Sequence, residues 1–303
     1  MFEDGHMTTS GVKVYTAVAH NVAGFNPACD DHQTQDILRK CRERGREILS
    51  ENSEDSLTWS YFHAMSRLPG KDWLVDFFRA AVTDRFARAY APYVDQAEIR
   101  FWVPHPSPRK YVEWLGEKVI REGTQSIQHI QRYEAHARAK ERLAKILKGD
   151  PSELPERPTE VDVEIRLGKH LLVFIEVKLF SDLGAFGTFN PGRNQLLRNM
   201  ELVEDVATKE GFADRRFILL TLDRNEKLYT RAMHRYRNGN MRELRQWDEL
   251  GNWETLKADL PHRHDEPDRY FQDMTLKMGW IRWPDCWKIM AHHALREKHP
   301  CKP

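Results

Sequence analysis

The sequence predicts an α/β fold in which a small mixed β-sheet is flanked by helices. Three observations predict it. Residues 159–167 alternate apolar and charged side chains, residues 171–180 are almost continuously apolar, and Phe217–Leu222 (FILLTL) forms a further short apolar run. Ahead of them, the stretch from Ser53 to Tyr90 repeats apolar residues at helical spacing.

Taken in order, residues 1–35 lack sustained periodicity and read as an N-terminal arm. Ser53 is placed to cap a helix in which Leu57, Tyr61, Ala64, Met65 and Leu68 share a side before Pro69-Gly70 stops it. The spacing of Leu74, Phe77, Phe78, Ala81, Phe86 and Ala87 predicts one helix over 73–90. Residues 97–103 (AEIRFWV) predict a strand, ended by the prolines at 104, 106 and 108. Residues 110–148 are helical in composition, and a Pro-rich linker near 149–158 follows. In 159–167, Val161, Val163, Ile165 and Leu167 alternate with Glu160, Asp162, Glu164 and Arg166, which gives a strand one apolar face. Gly168-Lys169-His170 is short enough for a hairpin turn, and 171–180 then reads as a buried central strand. A loop with Gly184, Gly187 and Gly192 leads to a helix near 193–207. The chain divides into an arm (1–35), a core (36–225) and a helical, irregular C-terminal extension (226–303).

The 303 residues hold 47 Lys+Arg against 46 Asp+Glu, a net charge of +1. That balance excludes a histone-like polycation, so any nucleic-acid surface must be local. Charged residues make up 31% of the chain, above the usual ~25%, but 11% aromatics with nine Trp argue against disorder. A chain of this length buries roughly 75% of its extended surface. Its longest apolar run, Leu171 to Ile175, falls far short of the ~20 residues of a membrane helix. The start, MFEDGHMTTS, is acidic and without an apolar h-region, and Met7 offers an alternative start. Four separated cysteines without a CxxC pair complete the expectation of a reduced, cytoplasmic protein without membrane attachment.

Chemistry concentrates where charges interrupt the apolar strand. Glu176 and Lys178, two apart, project to one face, and the hairpin brings Asp162 beside them. A buried charge without a partner costs several kcal/mol, so the three are expected to meet one another or a metal. Two carboxylates and a lysine at one point suit metal-assisted phosphodiester hydrolysis. Hard carboxylate oxygens hold Mg²⁺, and a lysine there orients or deprotonates the attacking water and stabilises charge on the phosphate.

Asp162 followed by Glu176-Val177-Lys178 resembles the PD-(D/E)XK nuclease superfamily, with Val161 standing where the name's proline would be. The resemblance covers residues 50–225 and implies a restriction-endonuclease-like core. It also implies Mg²⁺, replaceable by Mn²⁺, on Asp162, Glu176 and the Val177 carbonyl, with Lys178 as the catalytic lysine. By the same resemblance water attacks phosphorus and the 3′ oxygen leaves. Glu54 on the first core helix would be a fourth member, because it shares the inward stripe of Leu57 and Tyr61, whereas Asp55 points elsewhere. Its plainer role is to complement the helix dipole. Glu160 is a softer candidate, read as a solvated acid. Gln195 and Arg193, at the start of the helix after the catalytic strand, would sit near the scissile phosphate; the plainer reading is a polar first turn. DNA is the expected substrate, in defence against foreign DNA or in repair. The motif reads phosphodiester chemistry and not the sugar, so RNA stands beside DNA. A homodimer or a partner subunit, and a non-catalytic binding module of the same fold, remain open.

Two stretches are locally basic. Residues 131–148 carry Arg132, Arg138, Lys140, Arg142, Lys145 and Lys148. Residues 226–245 carry Arg231, Arg235 and Arg237 with Tyr236 interleaved, a composition suited to phosphate contact plus stacking. The second is the expected substrate surface. Such faces are often only solvated. Cys286, His292, His293, His299 and Cys301 crowd the C-terminus in no spacing that matches a structural zinc site. Trp280, Trp283 and Trp287 are expected to pack in the core. No Walker loop, GxSxG or dinucleotide fingerprint is present.

Overall fold

The computed structural model describes residues 5–7, 13–15, 32–44, 54–68, 70–150, 152–179, 185–222 and 253–298. Two short strands, β1 (Gly5–Met7) and β2 (Lys13–Tyr15), pair antiparallel ahead of α1 (His32–Arg44). Then come α2 (Glu54–Ser66), α3 (Asp72–Ala81), α4 (Asp84–Tyr90) and β3 (Ala97–His105). The chain continues through α5 (Arg109–Glu122) and α6 (Tyr133–Leu147) to the hairpin of β4 (Thr159–Leu167) and β5 (Leu171–Lys178). A small hairpin, β6 (Ala185–Gly187) and β7 (Asn190–Asn194), precedes α7 (Gln195–Glu210) and β8 (Asp214–Thr221). The last elements are α8 (Trp253–Asp259), α9 (Asp268–Leu276), β9 (Met278–Arg282) and α10 (Trp283–Lys298).

Five strands form the central mixed sheet in the order β3-β4-β5-β8-β9. The β3–β4 and β4–β5 pairs are antiparallel, and β5–β8 and β8–β9 are parallel. At the β4–β5 turn Gly168 has φ +54°, a conformation that favours glycine, and the His170 N–H closes the turn on the Leu167 carbonyl at 2.9 Å. Every residue of β5 is buried, because helices cover both sheet faces. On one face Val163, Ile175 and Ile218 pack with Phe62 of α2, Phe77 of α3 and Trp283 of α10. On the other, Phe174, Leu219 and Trp280 pack with Met200 of α7, Leu256 of α8 and Phe271 of α9. A smaller apolar cluster joins Tyr111 of α5, Leu143 of α6 and Phe189 of the β6–β7 turn. No helix among the described residues is long and apolar enough to cross a membrane.

Three sequence expectations are corrected. The single helix over 73–90 is two, because Thr83 leaves the helix and its hydroxyl accepts the Phe86 N–H at 3.1 Å, capping α4. The strand from Ala97 runs past Pro104 to His105; β3 is an edge strand, where a residue lacking an N–H is tolerated. The region after 226 is no mere extension: β9 completes the central sheet, and α8, α9 and α10 cover its two faces. Trp280 and Trp283 are core residues, on β9 and α10, whereas Trp287, expected to join them, is 40% exposed because it lies one turn on along α10 and stacks over Trp283 at the surface.

Candidate functional site

The β4–β5 ladder runs from Leu167 opposite Leu171 to Val163 opposite Ile175 and ends there. The next residues on the two strands are Asp162 and Glu176. Instead of a further ladder bond, the Val177 N–H donates to Asp162 Oδ2 at 2.8 Å. A residue's N–H and C=O leave a strand on the same side, so the Val177 carbonyl also faces this opening. Glu176 is only 3% exposed. Its Oε1 lies 2.8 Å from Lys178 Nζ, and its Oε2 accepts the Asn199 side-chain amide at 2.7 Å.

The electrostatics follow from this crowding. Burial and the neighbouring charge of Glu176 push the Asp162 carboxyl well above the usual carboxylate range, against the pull of Lys178 and the Val177 N–H. For Lys178 burial opposes the ammonium, but the charges of Glu176 and Asp162 and the hydrogen bond to Glu176 outweigh it and raise its pKa. Lys178 is therefore a firm cation at neutral pH.

The first turn of α2 closes the site from the side. Glu54 Oε2 accepts the Leu179 N–H at 2.7 Å, and its charge reaches Lys178. Asp55, expected to point away, is corrected. It is buried, it accepts the Trp102 indole N–H at 2.8 Å, and its charge bears on Asp162. Consecutive helical residues diverge, and the start of α2 sits where one reaches the end of β5 and the next reaches β3. Trp102 falls in the β3–β4 register between Phe101 opposite Val163 and Val103 opposite Val161, the position alongside Asp162. Its φ of 51° is uncommon for a bulky residue and is a local strain, held by complete burial, the Asp55 bond and Arg39 Nη2 on its carbonyl at 3.0 Å. Glu160, read as solvated, is instead ion-paired with Lys40 and lies 3.6 Å from Arg39 Nη1.

Gln195 opens α7 but is not the residue placed on Glu176; Asn199, one turn on along the same helical side, is. Asn199 is 1% exposed, and its Oδ1 has no hydrogen-bond partner among the described residues. Arg193 is corrected as a phosphate contact. It is 3% exposed, its Nη1 lies 2.6 Å from Glu201 and its Nε 3.5 Å from Glu156, and its guanidinium stacks 3.6 Å from the Tyr111 ring centre. Arg231, Arg235, Tyr236 and Arg237 lie outside the described residues, as do Ser53, His299 and Cys301. His292 and His293 of α10 come near Asp76 of α3, their ligand-type atoms all within 4.8 Å, with His293 bonded to Asp76 at 2.9 Å and Arg79 on the same carboxylate.

The donor set fits a hard divalent cation. Two carboxylates crowd at one opening, where a cation would relieve their repulsion. The Val177 carbonyl faces the same opening, and the orphaned Asn199 Oδ1 is a further buried oxygen beside Glu176. Asn199 and Trp102 carry no functional reading in the sequence, and Asp55 is set aside there. The only signal for Asn199 was its spacing from Gln195. Comparison with family models, curated proteins and solved structures finds no match to this chain.

Proposed function

We propose that the chain is a Mg²⁺-dependent nuclease of the PD-(D/E)XK kind that hydrolyses DNA. The observation that carries the reading is the opening of the β4–β5 ladder. There Asp162 and Glu176 follow the last ladder pair on adjacent strands and the charge of Glu176 acts on Asp162, with Lys178 paired to Glu176 on the same face. Asp162, Glu176 and the Val177 carbonyl would hold the ion, with Mn²⁺ able to substitute. Once bound, the ion supplies a polarised phosphate and a water of lowered pKa.

The chain's own residues do the rest. The Val177 N–H fixes one oxygen of Asp162 and leaves the other to the site. Lys178 and Asn199 hold the two oxygens of Glu176 in one orientation. Because its pKa is raised, Lys178 serves as a donor that steadies charge growing on the phosphate oxygens, and not as the base that takes the water's proton. Glu54 ties the start of α2 to the strand that carries Glu176 and Lys178.

The test separates turnover from capture. Removal of a positioned charged donor typically lowers the rate by on the order of 10²–10⁴. Lys178→Ala should therefore abolish Mg²⁺-dependent cleavage of plasmid and linear DNA, while gel-shift affinity in Ca²⁺ stays within a few-fold. Asp162→Asn and excess chelator should act likewise. RNA substrates belong in the same assay, since cleavage of RNA alone would move the substrate and keep the chemistry. Equal trace cleavage by wild type and Lys178→Ala would hand the fold to a non-catalytic binding role.

A further inference from the structure

The basic face of α6 lines a concave groove of about 710 Å³. Arg138, Arg142 and Lys145 reach it from α6, Arg157 from the linker that enters β4, and Thr188 from the β6–β7 turn. Arg142 ties these elements together. It donates to Glu153 at 3.2 Å, to Thr188 Oγ1 at 3.2 Å and to the Leu154 carbonyl at 2.9 Å. The acids in the groove are already engaged, Glu153 by Arg142 and Glu141 by Lys145 at 3.2 Å. Arg138 and Arg157 are exposed and meet no carboxylate among the described residues. The groove therefore carries two uncompensated guanidinium groups from two different elements.

We propose that this groove holds the sugar–phosphate backbone of the nucleic-acid strand whose scissile phosphate enters the carboxylate site, an inference that rests on the nuclease reading. Its walls are the covalent continuations of the elements that build that site. From Arg157 the chain enters β4 and reaches Asp162 within a span of at most ~17 Å. From Thr188 it runs through β7 into α7, which places Asn199 on Glu176. At ~3.4 Å per nucleotide of one strand, Arg157 lies within about five nucleotides of the cleavage position. A planar guanidinium matches two phosphate oxygens, and a concave surface with a net positive excess concentrates the field that draws a polyanion. A charged helix face that is merely solvated is convex and balanced, whereas this one is concave and keeps Arg138 and Arg157 in excess after Glu141 and Glu153 are paired.

The experiment measures binding of labelled single-stranded and duplex DNA by fluorescence anisotropy in Ca²⁺, from 50 to 300 mM salt. It compares wild type, the Arg138→Ala/Arg157→Ala double variant and Lys288→Ala on α10. Loss of two phosphate contacts should weaken binding roughly ten- to thirty-fold at 0.15 M salt. It should also flatten the slope of log affinity against log salt by about 1.4 for the single strand or about 1.8 for the duplex. Lys288→Ala should match wild type, and Arg138→Lys/Arg157→Lys should recover most of the slope. Unchanged affinity and slope in the double alanine variant, with Lys178→Ala still losing cleavage, would overturn the groove and leave the nuclease standing. A wild type that binds no strand at any salt would overturn both. If ADP binds wild type at micromolar concentration and is lost in the double variant while strand binding holds, the groove is a small-molecule pocket and the proposal falls.

Discussion

Glu54 and Asp55 are neighbours in the first turn of α2, yet one accepts the Leu179 amide and the other the Trp102 indole. Their losses should differ in kind. Glu54→Gln keeps an acceptor for Leu179 but removes a charge beside the proposed ion. It should weaken Mg²⁺ affinity, read by calorimetry, and leave the melting temperature almost unmoved. Asp55→Ala orphans the buried indole N–H of the strained Trp102, which costs about 1–3 kcal/mol, read as a lower urea midpoint. Equal, negligible effects from both would reduce Glu54 to a dipole-complementing residue. At this scale the sequence was legible where register is local. The short turn at 168–170 fixes which residue of β4 faces Glu176, so the placement of Asp162 beside Glu176 and Lys178 follows from alternation alone. Asp55, Trp102 and Asn199 required the docking of α2 and α7 on the sheet, which no spacing along the chain encodes. Arg193 shows the converse, a cation at an exposed-looking loop end that tertiary packing buries against Glu201.

Among the elements, β4, β5 and β8 announced themselves through alternation or apolar runs, whereas β9 did not. Its five residues, MGWIR, are too few to show a period, and its parallel partner β8 lies far back in the chain. Its glycine has a packing reason. A Cβ at Gly279 would meet the Ala81 carbonyl at 2.9 Å and Ile218 Cγ1 at 3.0 Å, so the strand passes the end of α3 only without a side chain. Gly279→Ala should destabilise by about 1–3 kcal/mol through overpacking against backbone. Gly116, inside α5, offers the control. A Cβ there makes ordinary contact with Pro155 at 3.7 Å, so Gly116→Ala should stabilise, by up to about 1 kcal/mol of helix propensity. Urea unfolding of the two variants should move in opposite directions. A Gly279→Ala midpoint equal to wild type would mean that α3 yields and the contact constrains nothing.

Over the whole molecule the charges divide into those the fold satisfies and those it leaves in tension. Glu201, a wholly buried residue of α7, exemplifies the first. Burial opposes its charge, but Arg193, His262 and Arg263 surround it and hold its carboxyl far below the ordinary value of 4.5. A depressed folded-state pKa gives stability that is present above 4.5 and lost as pH falls below it. Wild type should lose unfolding free energy steeply below that pH, and Glu201→Gln, weaker at neutral pH, should lose less. A parallel fall in both would show that Glu201 is not the acid-sensitive group. Asp162 exemplifies the second kind. Its carboxylate is desolvated and faces Glu176, so keeping it charged works against the fold at neutral pH. Asparagine keeps the acceptor for the Val177 N–H and removes the repulsion. Without metal, Asp162→Asn should therefore melt higher than wild type, on the order of 2–4 °C for each 1 kcal/mol relieved. A divalent ion would supply the same relief by binding only the folded state, raising the melting temperature with concentration. Mg²⁺ or Mn²⁺ should thus stabilise wild type and barely move Asp162→Asn, with chelator reversing the shift. If Asp162→Asn melts lower than wild type and Mg²⁺ shifts both equally, the crowded carboxylates are a structural pair and the ion has no place between them.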